Sequence, residues 1–156
     1  MPLTRRAFCL LTASAAVSAC GARRRDRARP VAGLYPGETA EVRRLINRYA
    51  ALYDVPPALI HRVIQRESDY RADARNGPYY GMMQILPQTA RTMGHRGPAS
   101  DLLNADTNLK YGVKYLRGAW LLSGGSYDRA VGWYSNGYYY EAKRRGMLVE
   151  TGLKAG

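Results

Sequence analysis

The chain has 156 residues, with 24 Lys and Arg against 12 Asp and Glu, for a net charge of +12. That length accommodates one compact domain around one core. Two cysteines (Cys9, Cys20) and two histidines (His61, His95) are too few for a disulfide framework, a cysteine metal site or a histidine cluster, so no metal or cofactor is expected.

Residues 1–19 read as a targeting segment. Arg5-Arg6 gives a positive start, and Phe8 through Val17 is an apolar run too short to span a bilayer. Thr4-Arg5-Arg6-Ala7-Phe8 also fits a twin-arginine export signal. The run closes in Val17-Ser18-Ala19-Cys20, which is similar to the bacterial lipoprotein signal, where the cysteine is lipidated and becomes the first residue. Ordinary cleavage at these small residues, without lipid, is the alternative. Signal removal takes Cys9 away and leaves Cys20 without a disulfide partner. Residues 20–37 are expected to be a tether, because the run Ala22 to Pro30 is mostly arginine and cannot build a core. Beside a lipid anchor it is suited to anionic headgroups or acidic polymers; a merely solvated linker is the other reading.

The folded domain is expected over residues 38–150, with a short tail over 151–156. Helices are predicted near 39–53, 56–67, 87–93, 106–122 and 127–135, with a last one from Tyr140 to Met147. Val42, Leu45, Ile46, Tyr49 and Leu52 form the first apolar stripe. Asp54, ahead of Pro56 and Pro57, is a candidate cap for the second helix. Leu109, Gly112, Val113 and Leu116 mark the long helix, which Gly124-Gly125 ends. Strand signal is confined to the stretch Tyr79 to Ile85. The fold class is therefore mostly α, with at most a very small β element.

Leu59, Ile60, Val63 and Ile64 recur at helical spacing, and Glu67 follows on their face, while Arg62, Gln65, Arg66 and the solvent-facing His61 point elsewhere. A carboxyl group on an apolar face loses hydration, which disfavours its charged form and raises its pKa. Such an acid can protonate a leaving oxygen near neutral pH and then take a proton back. Asp69 and Asp73 share a polar loop with Arg71 and Arg75 and read as loop-capping or ion-paired groups.

Four ordered motifs carry a resemblance. They are Glu67-Ser68; Gly81-Met82-Met83-Gln84-Ile85 followed by Pro87-Gln88-Thr89-Ala90; Asn108-Leu109 with Gly112, Tyr115 and Leu116; and Trp133-Tyr134-Ser135-Asn136-Gly137. Over roughly residues 40 to 145 the chain resembles the catalytic domain of soluble lytic transglycosylases, lysozyme-like enzymes that cleave peptidoglycan. It departs from that pattern at Met82, where the family has leucine, and at Ser135, where it has asparagine; Asn136 offers an amide one position later.

The resemblance implies a single lysozyme-like domain with one substrate cleft and Glu67 as catalytic acid and then base. The muramic acid's own C6 hydroxyl attacks its C1, giving a 1,6-anhydro sugar without a second carboxylate. It also implies that Ser68, Gln84 and Tyr134 hold the sugar or orient Glu67, each with a structural alternative as helix stop, turn or core residue. Met83, Tyr80 and Asn136 complete the expected substrate-binding set, and Gly81 lets the chain pass close to the saccharide. Tyr70, Tyr79 and the run Tyr138-Tyr139-Tyr140 supply rings suited to sugar faces, the run as a groove wall. The expected partners are peptidoglycan glycan strands, a membrane through Cys20, and envelope-spanning machinery; the expected location is the periplasm, on the outer membrane. A basic cleft rim would attract the carboxylates of stem peptides. A hydrolytic muramidase and a non-catalytic wall-binding lipoprotein on the same scaffold are the competing readings. Nucleic acid is not an expected partner, since an exported lipoprotein meets little of it.

Overall fold

A computed structural model describes residues 33–155. The targeting segment, Cys20 and the arginine-rich run lie outside the described residues. Helix α1 spans Ala40–Tyr53; Thr39 caps it, its Oγ1 accepting from the Val42 amide at 3.1 Å. Its stripe Val42, Ile46, Tyr49 and Ala50 is buried, but Leu52 turns outward and is 62% exposed. Asp54 does not cap the second helix. It closes α1 in a left-handed conformation, and α2 (Pro57–Glu67) starts on its prolines without a side-chain cap. Strands β1 (Arg75–Asn76) and β2 (Tyr79–Tyr80) form a two-residue hairpin with Asn76 opposite Tyr79, and Tyr80 bridges on to Ile85.

Helix α3 (Pro87–Thr92) and a 3-10 turn at Ala99–Leu103 lead into α4 (Ala105–Leu122), which Asn104 caps through the Thr107 amide. Helices α5 (Tyr127–Asn136) and α6 (Tyr139–Arg144) complete the domain. Helix α4 is central, packing against α1 and α5, and the core runs from Ile46 and Leu59 through Leu109 and Leu116 to Tyr134 and Tyr138. At Gly112 a Cβ would fall 2.6 Å from the Met83 sulfur, so the missing side chain admits the segment after β2 against α4. No described helix is long and apolar enough to cross a membrane.

Both ends of the domain extend past the expected limits. Thr151 is buried, its hydroxyl donating to the Met147 carbonyl, and Leu153 packs on the core. At the other end Glu38 is buried, with Arg43 donating two hydrogen bonds to it at 2.6 Å and the Tyr35 amide a third at 3.0 Å. The Tyr35 ring lies against His61 and Tyr70. Residues 33–37 are thus docked chain rather than tether, held through the Gly33 carbonyl and Tyr35 amide by a part-buried ion pair that no apolar pattern announces.

His61 is a correction as well. It is 6% exposed, with Nδ1 2.8 Å from the Tyr70 hydroxyl and 3.9 Å from Glu38. Burial holds its pKa below the ordinary histidine value, against the pull of Glu38.

Candidate active site

Glu67 ends α2 with its side chain 22% exposed. It opens on a pocket of about 310 Å³ lined by Arg66, Asn76, Tyr79, Gln84, Tyr134 and Ser135. A second hollow of about 330 Å³ shares Tyr79, Gln84, Tyr134 and Ser135 with the first and continues past Ile85, Leu86, Thr89, Tyr115, Asn136 and Gly137. Together they make one groove walled by the hairpin and by α5. A larger hollow of about 560 Å³ lies between the end of α1 and Trp120, but Asp54 is its one acid and the sequence motifs are absent from it. Size does not decide between them; the groove holds the chemistry.

Burial raises the Glu67 pKa, and the charge of Arg66, whose Nε lies 3.8 Å from Oε1, opposes the rise without cancelling it. No described residue hydrogen-bonds the Glu67 carboxyl, so its proton is not committed within the protein. Arg66, expected to point away, instead flanks it. Glu67 is the one acid among the described residues lining the groove.

Backbone turns and buried polar links fix the opposite wall. Gln84 adopts a left-handed φ of 48° and donates its side-chain nitrogen to the carbonyls of Gly81 (2.8 Å) and Ala74 (3.2 Å). The amide is thus tied into the turn, while the residue still lines both hollows. Tyr134 presents its ring to the groove and turns its hydroxyl back to donate to the Met83 carbonyl at 2.7 Å. Burial, and then the charge of Glu67, put that hydroxyl's pKa well above the tyrosine range. Asn108, fully buried on α4, accepts from the Met83 amide and donates to the carbonyls of Tyr80 and Leu102, each at 2.8 Å.

Of the expected residues, Glu67, Gln84, Tyr134 and Asn136 come together along the groove, Asn136 at its far part. Ser68 does not reach it: buried at 3% exposure, its hydroxyl donates to the Met82 carbonyl at 2.7 Å and bolts the end of α2 to the following wall. Met83 is fully buried against α4, and Tyr80 packs toward Ile85 and Leu102 with Arg75 over its ring. Gly81 serves a close approach to protein rather than to saccharide, since a Cβ there would fall 2.1 Å from the Leu102 carbonyl oxygen. Tyr70 and Tyr138 are buried, Tyr138 donating to the Tyr115 carbonyl. Tyr139 and Tyr140 are exposed but do not line the groove. Asp69 and Asp73 form no ion pair among the described residues; Asp69 holds a left-handed turn, φ 51°.

In the part of the groove beside Glu67, Arg66 and Asn76 escaped the sequence reading, and Tyr79, read only as one of several rings suited to sugar faces, takes the wall place expected of Tyr80. The turn Asn76-Gly77-Pro78 was the available signal for the hairpin, and hairpin register decides which tyrosine faces in.

A mostly helical domain with a minimal hairpin, and one partly buried glutamate in a groove of tyrosines and amides, fits the lysozyme-like class. The model of the transglycosylase SLT domain matches residues 44–145, most of the chain, and the protein belongs to that family, the lytic transglycosylase catalytic domain of the lysozyme-like superfamily. No solved structure matches the chain. Membership implies a transglycosylase-type enzyme with peptidoglycan as its substrate.

Proposed function

We propose that the protein cleaves the β-1,4 bond between N-acetylmuramic acid and N-acetylglucosamine and leaves a 1,6-anhydromuramic end. Glu67 gives its proton to the glycosidic oxygen as the C1–O bond breaks. The C6 hydroxyl of the same muramic residue then bonds to C1, and its proton passes to Glu67, restoring the acid. Atoms balance without water. The observation that carries this reading is a partly buried Glu67 with no second carboxylate among the described groove-lining residues. Hydrolysis by the usual pair of carboxylates needs a second acid about 5–9.5 Å away across the bond. Intramolecular attack dispenses with it, because the nucleophile is already held on the sugar.

The test is digestion of purified sacculi with mass spectrometry of the soluble products. Anhydromuramyl products, lighter by one water than hydrolysis products and lost in Glu67→Gln, are expected. Reducing ends would establish a muramidase instead. Sacculus binding without release would leave a wall-binding protein.

The signal-like segment ending at Cys20 supports export and lipid anchoring on the outer membrane. Fatty-acid labelling that disappears in Cys20→Ser is the corresponding check. A small domain of this kind suits local wall clearance for envelope-spanning machinery or routine wall turnover, and normal secretion, conjugation and motility on deletion would count against the first role.

A further inference from the structure

The groove has only two ionic side chains among its described lining residues, Glu67 and Arg66. Arg62, one turn earlier on α2, is paired with Asp128. Arg66 is more loosely engaged: its ionic neighbour is Glu67 at 3.8 Å, beyond hydrogen-bond reach, it makes no hydrogen bond to a described residue, and its side chain is 54% exposed. The sugar rings of a glycan strand carry hydroxyls and acetamides and are neutral. Their anionic groups hang from the muramic residue alone, on its lactyl arm or on the peptide attached there. An arginine is well matched to a carboxylate, which it can grip through two parallel hydrogen bonds.

We propose that Arg66 binds a carboxylate carried on the lactyl arm of the substrate's muramic residue, and so selects the strand and registers its scissile bond over Glu67. The inference rests on the transglycosylase reading and deepens it by naming the recognised group. It also accounts for an otherwise costly placement. A fixed positive charge beside Glu67 favours the ionised, inactive form of the acid, against the effect of burial. A substrate carboxylate that draws the guanidinium to itself neutralises that charge, so capturing the substrate and arming the acid become one event.

The experiment measures KM and kcat on three soluble strand preparations with the wild-type protein, Arg66→Gln and Arg66→Lys. The first strands carry intact stem peptides, with carboxylates on the peptide. The second are amidase-stripped, so the carboxylate is the lactyl group itself. The third are stripped strands with that group capped as a methylamide. Wild type is expected to show a KM about tenfold lower for a carboxylate-bearing strand than for the capped one, the scale of a charge-assisted hydrogen bond. Arg66→Gln removes that ratio and Arg66→Lys keeps part of it. A preference for peptide-bearing strands assigns the stem carboxylates, and a preference for stripped strands assigns the lactyl group. Equal KM on all three in wild type overturns the proposal, as does an Arg66→Gln effect of the same factor on every strand. In either of those cases anhydro products would leave the transglycosylase reading standing; their absence from every strand would overturn both.

Discussion

Asn108 is the residue on which the far wall of the groove depends, and its removal has a calculable cost. Its amide serves three backbone groups, those of Met83, Tyr80 and Leu102. The Tyr80 carbonyl also accepts from the Ile85 amide and keeps a partner, whereas the Met83 amide and the Leu102 carbonyl are left dry and unpaired. In Asn108→Leu, which leaves little room for a replacing water, each orphan costs about 1–3 kcal/mol, giving roughly 4 kcal/mol in all. Against a total stability of about 5–15 kcal/mol that is a large fraction. It should lower the melting temperature by roughly 10–20 °C in a domain of this size. Urea unfolding followed by circular dichroism reads the difference directly. Activity of the folded fraction should fall as well, because Met83 positions Tyr134 and adjoins Gln84. A loss below about 1 kcal/mol would refute the claim that this side chain holds the wall together.

Glu67→Gln should abolish release of anhydro products, a fall of about 10²–10⁴-fold or more. At pH 7 it should leave the protein at least as stable as wild type. The sign follows from linkage: a carboxyl whose pKa is raised on folding binds its proton better in the folded state, so its ionisation weakens the fold as pH rises above the unfolded value, and glutamine avoids this. A lower melting temperature in the variant would contradict it. His61 acts in the opposite sense. Its pKa is depressed on folding, so stability is full above the ordinary value of 6.5 and is lost as pH falls below it; Glu38, also lowered, adds to the loss in more acid solution. Urea midpoints between pH 7.5 and 5 should decline in wild type and flatten in His61→Gln. Ser135→Asn restores the family's amide at a position lining both parts of the groove and should raise kcat/KM on sacculi about two- to tenfold, one hydrogen bond's worth. No change would mean Asn136 already supplies the contact.

The helices were legible because their burial is periodic. The first five begin and end within a residue or two of the predicted limits, where prolines, polar caps and the Gly124-Gly125 pair punctuate the pattern, whereas the sixth stops at Arg144, short of the predicted Met147. The 3-10 turn at Ala99–Leu103 was not legible, since Leu102 is its one buried residue and a lone apolar residue has no period. His61 was misjudged because α2 is buried over a wide arc, from Leu59 to Ile64, and not along a single stripe. Glu67 could be found from its face and its motif. The allotment of neighbours could not: Ser68, Met83 and Tyr80 face the interior through hydrogen-bonding and packing choices that arise only when α2, the hairpin and α4 meet. Arg66 was missed for a related reason. The periodicity gives the direction of a Cβ, but a long side chain at a helix end can return to the groove.

Glu67 makes no hydrogen bond to a described residue, and this separates the inheritance of the scaffold from the inheritance of the reaction. In a duplicated gene, one codon change could silence the chemistry and leave a folded protein whose groove still fits a glycan strand. Selection for wall attachment alone could then preserve such a copy. Families built this way should contain silent binders beside cutters, told apart by a single position and hardly at all by their shape.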